Sequence, residues 1–378
     1  MWFTTFIFAN LWGRRTRSGL TLLGVAIAVA VIVAMFGVVK DFENSLTAMY
    51  LENGYDLVVM DSGSMGIDDG ALDESFAAKI RTVAGVQETH PVLLLYSSAK
   101  DPQTPGRQTM VSMQGIRCDS PDARNLEITS GRMFVDGEKP EIVIGERLGD
   151  TLGKKPGDSL LLIEDHKFDI VGVFRSKNMI IANSILIPLD AMKIANGAEE
   201  VTQFLVILDP KGRADMPRVQ SEIRAIDDQL KVYPVREIVD QSQEIRGVRA
   251  FSWVTSSIAL LIGSIGMLNT LMMSVFERTR EIATLRAIGW RRWRIAVLIL
   301  GESTLLCALG AGLGILGAVL MVRGLMLFPD VGHLISGRIS LEVILKGFAL
   351  ALSLGLLGGL YPAWLAARMA PVEGLRHD

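Results

Sequence analysis

The segment ERTREIATLRAIGWRRWR, Glu277 to Arg294, carries eight charged residues among eighteen and lies between two long apolar runs. No charge occurs over residues 250–276, and residues 295–322 contain Glu302 as their single charged residue. Two further uncharged runs cover residues 18–39 and 347–367. Because a helix needs about 20 predominantly apolar residues to cross a bilayer, the sequence predicts four transmembrane helices.

The composition agrees with partial residence in a membrane. The 378 residues have a mean hydropathy of +0.35, and 49% of them are hydrophobic, which is high for a soluble protein. The formal net charge is −3. We therefore expect a membrane protein, and we expect no nucleic-acid partner.

Arginines indicate which side of the membrane each segment faces. Arg14, Arg15 and Arg17 precede the first apolar run, and six arginines lie within residues 277–294. Because basic residues concentrate in cytoplasmic loops, both segments and both termini are predicted to be cytoplasmic. The first run could also be a signal peptide, but signal cores are about 7 to 15 residues long, so an uncleaved anchor is favoured.

The residues between the first and second runs have the pattern of a folded extracytoplasmic domain. Short apolar stretches such as YDLVVM, HPVLLLYSS and FDIVGVF are bounded by Gly, Pro, Asp and Asn, as strands are. LDESFAAKIRTVAGV and DMPRVQSEIRAIDDQL have helical spacing of apolar residues. The predicted fold class is four transmembrane helices plus an α+β domain of two lobes, inserted between helices 1 and 2.

These patterns predict the following organisation of the chain. The segments are an interfacial or cytoplasmic N-terminal helix (1–17), transmembrane helix 1 (18–40, continuing as a stalk to about residue 60), the extracytoplasmic domain (41–249, with a small β-rich lobe at about 131–175), transmembrane helix 2 (250–276), a cytoplasmic helix and anchor (277–294), transmembrane helix 3 (295–322), an external loop (323–345), transmembrane helix 4 (346–367) and a cytoplasmic tail (368–378).

The sequence contains few of the residue patterns that form catalytic or metal sites. The nearest approach to a nucleotide-binding G-x-x-x-x-G-K-[ST] motif is GKKPGD, which lacks the first glycine spacing and the Ser or Thr. The four histidines are scattered, at His90, His166, His333 and His377, and a zinc site needs clustered ligands. Cys118 and Cys307 fall in the external domain and in helix 3, so they cannot pair within one chain. We predict no catalytic residue, metal or cofactor on this chain.

A carboxylate and several small residues stand out inside the spans. Glu302 could serve a relay or a gate, since intramembrane carboxylates are costly and often functional, or it could pair with a basic residue near the interface. Two pairs of glycines have the small-xxx-small spacing that lets helices approach closely: Gly310 with Gly314, and Gly355 with Gly359. These glycines indicate helix packing and carry no information about a substrate.

Within the charged segment, apolar side chains follow a helical period. Ile282, Leu285 and Ile288 fall on one side of a helical wheel, and Gly289 suits the left-handed position that ends a helix. Trp290 and Trp293 with their arginine neighbours are typical of an anchor at the headgroups. This amphipathic helix could lie on the lipid surface, or it could dock a partner protein, and charge alone does not separate the two.

Two stretches resemble the permease signature of the MacB/FtsX-like ABC transporter family. They are NTLMMSVFERTREIATLRAIGWRRWRIAVLILGES, Asn269 to Ser303, and YPAWLAARMAPVEGLRHD, Tyr361 to Asp378. GERLGDTLGKKPGDSLLL is similar to the family's extracytoplasmic domain. The resemblance extends over nearly the whole chain.

The resemblance implies a homodimeric four-span permease in the bacterial inner membrane that recruits two copies of a separate cytosolic ATPase, which binds the ATP and magnesium. A periplasmic adaptor and an outer-membrane channel are possible further partners. The family docks its ATPase on the helix between spans 2 and 3, with the C-terminal tail beside it. Carried over, the docking residues are Glu277, Arg278, Arg280, Glu281, Leu285, Arg286, Ala287 and Gly289, with Pro371, Val372, Glu373 and Leu375 in support.

The implied mechanism is mechanotransmission, in which the ATP cycle of the partner moves the external domain and drives export or extraction of a substrate. The resemblance does not specify which drug, lipid, lipoprotein, haem or peptide is the cargo. One alternative is a transmembrane signalling or regulatory protein that controls an extracytoplasmic partner without transport. Another is an intramembrane hydrolase, but that class needs paired polar catalytic residues in the spans, where only Glu302 is ionisable.

Overall fold

The computed structural model describes residues 15–64, 66–102, 108–241, 243–325 and 339–369. Most of the predicted N-terminal helix and nearly all of the predicted tail, including its four supporting docking residues, lie outside the described residues. The same holds for residues 326–338 of the predicted external loop. The chain forms two compact units, one built mainly from long helices and one covering residues 42–248.

Helices are numbered here in chain order. They are α1 (Arg15–Leu51), α2 (Phe76–Arg81), α3 (Pro121–Arg124), α4 (Glu146–Leu152), α5 (Met179–Ala182), α6 (Leu189–Asn196), α7 (Pro210–Ala214), α8 (Met216–Arg224), α9 (Ile238–Gln241), α10 (Gln243–Glu277), α11 (Thr279–Ala287), α12 (Arg292–Leu325) and α13 (Leu341–Arg368). Within the described residues, α1, α10, α12 and α13 are long and apolar enough to cross a membrane. The prediction of four long apolar helices is confirmed.

Glycines let these long helices approach one another closely. A Cβ added at Gly310 would lie 2.7 Å from Val25, and one at Gly314 would lie 2.5 Å from the Ala26 carbonyl oxygen, so both glycines face α1. Gly355 faces Cys307 and Gly359 faces Ser303, so that pair lies against α12. The Ser303 hydroxyl also donates a hydrogen bond of 2.9 Å to the Gly355 carbonyl oxygen across the α12–α13 contact.

The second unit is built around a sheet. Its strands are β1 (Leu57–Asp61), β2 (Val86–Lys100), β3 (Gln108–Ile116), β4 (Glu127–Gly131), β5 (Glu141–Gly145), β6 (Ser159–Leu162), β7 (His166–Arg175), β8 (Ser184–Pro188), β9 (Gln203–Leu208) and β10 (Leu230–Pro234). They are ordered β10-β1-β9-β2-β3-β8-β5-β7-β4, and β6 pairs with β2 and β7. The predicted α+β domain between the first and second long helices is confirmed.

The long strand β2 joins two halves of this sheet. Its first half, Val86–Val92, pairs antiparallel with β9, and its second half, Leu93–Lys100, pairs antiparallel with β3. The sheet is mixed, since β3–β8 and β5–β7 are parallel pairs. Parallel pairs need a crossover connection, and here the segment between β3 and β8 includes β4 to β7, while the segment between β5 and β7 includes α4 and β6.

Both faces of the sheet are covered. In β1, Leu57 and Val59 belong to one buried cluster, whereas Val58 and Met60 belong to another. Successive side chains of a strand point to opposite faces, so a strand covered on both sides has a continuous apolar sequence, as LVVM does here. The outer end of α1 contributes Leu46, Met49 and Tyr50 to the second cluster.

An ion-pair cluster ties the segment before α2 to the rest of the domain. The Arg117 guanidinium donates to Glu74 at 2.7 Å, and Lys193 of α6 also pairs with Glu74. Burial alone would raise the pKa of Glu74, but the hydrogen bonds from Lys193 and Arg117 outweigh it and hold the pKa below its ordinary value of 4.5. The ionised carboxylate therefore stabilises the folded domain above that pH.

We expect Glu74→Gln to lower the free energy of unfolding by about 1 kcal/mol at pH 7, a modest value because the cluster is partly exposed. A depressed pKa contributes stability that is lost as pH falls through it, so the difference from wild type should disappear well below pH 4.5. Thermal unfolding of the full chain in nanodiscs at both pH values measures this. Glu222→Gln, which removes an exposed i,i+4 pair with Arg218, is the control and should change little. A pH-independent loss in Glu74→Gln would contradict the ionic origin.

Candidate functional site: the connector between α10 and α12

The charged segment of the sequence forms a short helix bounded by two breaks, and residues 278–291 are called the connector below. Helix α10 ends at Glu277, and Arg278 has φ −105° and ψ 14°, so the chain changes direction before α11 begins at Thr279. The Thr279 hydroxyl donates to the Phe276 carbonyl oxygen at 2.7 Å, which satisfies a carbonyl group that the end of α10 leaves without an intrahelical partner.

The other end of the connector is a complete Schellman turn. Gly289 has φ +99°, which confirms the predicted left-handed position. The Trp290 amide donates to the Leu285 carbonyl oxygen at 3.0 Å, and the Gly289 amide donates to that of Arg286 at 3.1 Å, as this motif requires. The Arg286 guanidinium then donates to the Trp290 carbonyl oxygen at 3.1 Å, so this predicted docking residue also braces the turn.

One face of α11 is buried against the long helices. Ile282 is 5% exposed, and Ala283 is fully buried. Ile282 belongs to a cluster whose other buried members come from α10, α12 and α13: Val275, Ile295, Ile299, Ala363 and Ala366. Leu285 and Trp290 are partly buried against the same cluster. This contact fixes which side of α11 faces outward.

Ile288 does not belong to that buried face. The helical wheel placed Ile288 with Ile282 and Leu285, but its side chain is 74% exposed. An α-helix advances about 100° per residue, so positions three apart drift and Ile288 stands about 120° round from Ile282. Ile288 also follows the last residue of α11 and precedes the left-handed glycine. Ile288 therefore does not share the buried side of α11 with Ile282.

The outward face of the connector combines charges of both signs with this apolar residue. Starting from Glu277 at the end of α10, the exposed residues recur at helical spacing, and those in the connector are Arg280, Glu281, Thr284, Ala287 and Ile288. Five of the predicted docking residues are exposed, namely Glu277, Arg280, Glu281, Ala287 and Gly289. Leu285 and Arg286 are half-buried, and Arg278 is buried. Trp293, of the predicted anchor, is 57% exposed, with the Arg294 guanidinium 5.7 Å from its ring centroid.

Arg278 joins the connector to α12 through a buried ion pair. Its Nη1 donates to Glu302 Oε2 at 3.0 Å, and its Nε donates to Glu281 Oε2, also at 3.0 Å. The side chains of Arg278 and Glu302 are 10% and 11% exposed, whereas that of Glu281 is 61% exposed. The pairing of Glu302 with a basic residue, one of its two predicted environments, is what the structure shows.

The described contacts fix the connector at both of its ends. In the parts of the chain that the structure describes, no group of three or more His, Cys, Asp or Glu residues could hold a metal ion. Ser303, next to Glu302, is engaged with the backbone of α13. The connector thus presents a mixed polar and apolar surface on a helix that is tied at its start by an ion pair and at its end by a Schellman turn.

Family models match both parts of the chain. Residues 18–226 match the MacB-like periplasmic core domain, and residues 253–371 match the FtsX-like permease C-terminal domain. The connector and the four glycines of the packed helices lie within the second match. The first match alone covers more than half of the chain.

Two relatives are similar over nearly the whole of this chain. An uncharacterized ABC transporter permease of Methanocaldococcus jannaschii is 26% identical over 99% of this chain and 97% of its own length. The pyoverdine export ATP-binding/permease protein PvdT of Pseudomonas fluorescens is 27% identical over 97% of this chain, which spans 58% of the length of that relative. The periplasmic region of MacB from Actinobacillus actinomycetemcomitans overlaps 49% of this chain and 90% of its own, with 11% identity and a TM-score of 0.39.

The two family-model matches, together with the four long apolar helices, give the class of the protein. The relative from Methanocaldococcus jannaschii is matched from end to end and is named as a permease alone, which supports a non-catalytic role. An ABC permease implies an ATPase partner. The chain belongs to the MacB/FtsX-like ABC transporter permease family, as a multi-pass membrane protein with a MacB-like periplasmic core domain.

Proposed function

We propose that this chain is the permease subunit that couples ATP hydrolysis by a separate cytosolic ATPase to movement of its periplasmic domain, and so to export or extraction of a substrate. The observation that carries the proposal is the outward face of the connector, which ends in an isoleucine with 74% of its side chain exposed. A large apolar side chain at the end of a charged helical face is typical of an anchor for a partner groove.

The opposite face of the same helix supports this proposal. Ile282 is buried among α10, α12 and α13, and Ala283 beside it is also buried, so a load applied to the outward face reaches those helices through Ile282. A helix that only lay on the lipid surface would direct its apolar stripe toward the lipid. Here most of that stripe is already occupied by protein contacts, and the outward residues are mainly polar.

The proposal includes the rest of the assembly. Two copies of the permease would each receive one ATPase subunit at the connector, with the connector and both termini on the cytoplasmic side of a bacterial inner membrane. Relatives are named for the export of pyoverdine and of macrolides. We therefore favour export of a small molecule over regulation of an extracytoplasmic enzyme, with a periplasmic adaptor and an outer-membrane channel as further partners. The named docking residues of the connector remain proposals in this scheme.

The test is a substitution at the exposed isoleucine. We expect Ile288→Asp to weaken binding of a co-expressed candidate ATPase at least tenfold. In the complex the isoleucine would be buried against the ATPase, and an aspartate in its place would have to lose its hydration. Binding of the purified ATPase to the permease in nanodiscs, measured by biolayer interferometry, gives the dissociation constants.

The matched control is Ile194→Asp. Ile194 is 59% exposed on α6 of the other unit, so this variant repeats the chemical change away from the connector. It should bind the ATPase as wild type does. Equal binding by Ile288→Asp and wild type would refute the assignment of the connector as the docking site, provided that wild type binds.

A further inference from the structure

Three charged side chains form a line from the surface of the connector into the long helices. Glu281 is on the outward face of α11, Arg278 is at the break that precedes α11, and Glu302 is on α12. The exposed fraction of the side chain falls from 61% at Glu281 to 10% at Arg278 and 11% at Glu302. One guanidinium thus bridges an exposed carboxylate and a buried carboxylate.

The two contacts of Arg278 differ in strength for a physical reason. The pair with Glu302 is almost free of solvent, and breaking a buried pair leaves an uncompensated charge. The pair with Glu281 has a solvated partner, and exposed pairs contribute little, in the range of 0 to about 1 kcal/mol. The contact with Glu302 therefore holds the connector in place, while the contact with Glu281 is easily exchanged.

The guanidinium can serve both carboxylates because its donors point in different directions. Nε faces Glu281, and Nη1 faces Glu302. A lysine at this position would have a single nitrogen and could not repeat that fixed fork. Because Arg278 stands at the break between α10 and α11, a change in how its charge is shared acts at the junction of these two helices.

We propose that Glu281, Arg278 and Glu302 form a relay that makes the position of α11 on α12 depend on what binds the outward face of the connector. A cationic side chain of the docked ATPase competes with Arg278 for Glu281. Arg278 then directs its charge to Glu302 alone, and the connector is drawn more tightly to α12. The proposal rests on the proposed function, since it assumes that a partner binds this face.

A purely structural role predicts a different pattern. If Arg278 only neutralised Glu302, the exposed carboxylate of Glu281 would be irrelevant to α12, and a pair of reversed polarity at 278 and 302 would serve as well. A relay requires Glu281 to compete for a cation at residue 278. Variants that keep the buried pair but remove that competition separate the two roles.

The first experiment uses the full chain alone in nanodiscs and follows amide hydrogen exchange. We expect Glu302→Gln to speed exchange in α11 at least tenfold, because the buried contact that holds the connector is weakened. Glu281→Gln should change it less than threefold. If Glu302→Gln exchanges like wild type, or if Glu281→Gln loosens α11 as much as Glu302→Gln does, the proposed division between a holding contact and an exchangeable contact is wrong.

The second experiment adds the ATPase at saturating concentration. We expect ATPase binding to slow amide exchange over residues 295–304 of α12 at least threefold in wild type. Glu281→Gln removes a proposed docking contact, so the ATPase concentration is raised until this variant is saturated too, and at saturation it should lack that response. The double variant Arg278→Glu with Glu302→Arg should restore slow exchange in α11 without the ATPase, yet lack the response, because a carboxylate at 278 repels Glu281.

The outcomes distinguish the relay from docking. An equal α12 response in wild type and Glu281→Gln would overturn the relay while docking stands. A double variant with the full response would overturn it as well. If wild type binds no candidate ATPase, the proposed function fails and the relay fails with it.

Discussion

Arg278→Ala is expected to destabilise the membrane helices more than any other substitution of a single charged residue in the connector, by about 3–5 kcal/mol. The alanine leaves Glu302, with an 11% exposed side chain, facing a cavity without the cation that was 3.0 Å away. A buried carboxylate that loses a cationic partner retains the cost of desolvation without the attraction that offset it. Reversible unfolding in SDS mixed micelles, followed by circular dichroism, measures the change.

This effect should arise from the buried ion pair of Arg278, and the loss of an exposed arginine should not reproduce it. Arg280→Ala is the matched control, because Arg280 is exposed on the same helix, and it should cost no more than about 0.5 kcal/mol. Adding Glu302→Leu to Arg278→Ala should recover much of the loss, since an apolar replacement of both partners removes the unpaired charge. If the free energies of unfolding of Arg278→Ala and Arg280→Ala differ by less than about 1 kcal/mol, the buried pair does not contribute the stability expected of it.

The sequence was sufficient for features that depend on local pattern. Long uncharged runs have a direct physical consequence in a bilayer, and each of the four runs corresponds to a long helix. The left-handed Gly289 was predictable because only a residue without a Cβ adopts that conformation cheaply. The strands of the external domain were recognisable by apolar stretches bounded by turn residues, although their order was not.

The pairing of residues far apart in the chain could not be predicted in this way. Arg278 precedes α11 and Glu302 lies inside α12, and the sequence showed only that Glu302 had several arginines nearby. The first half of β2 pairs with β9, whose residues lie more than 100 positions further along the chain. No local signal in the sequence specifies that register. Exposure of Ile288 depended on where α11 ends, and element ends are the least certain part of any sequence prediction.

The second large effect is expected in α12, where the change in the free energy of unfolding caused by a Gly→Ala substitution should differ in sign between two positions. A Cβ at Gly314 would stand 2.5 Å from the Ala26 carbonyl oxygen and 2.9 Å from Val29, both on α1. Backbone atoms cannot move aside as a flexible side chain can, so the helices must separate. We expect Gly314→Ala to lower the free energy of unfolding by about 3 kcal/mol, at the upper end of the range for overpacking.

Gly312→Ala is the control, since nothing lies within 4 Å of a Cβ at that position. Alanine is favoured over glycine in a helix by about 1 kcal/mol, so Gly312→Ala should be neutral or stabilising in the same SDS titration. The two variants share residue type, helix and depth to within one turn, and they differ in whether α1 lies against the site. If Gly314→Ala is as stable as Gly312→Ala, α1 does not pack on α12 at this point, and the small-xxx-small spacing in α12 serves another contact.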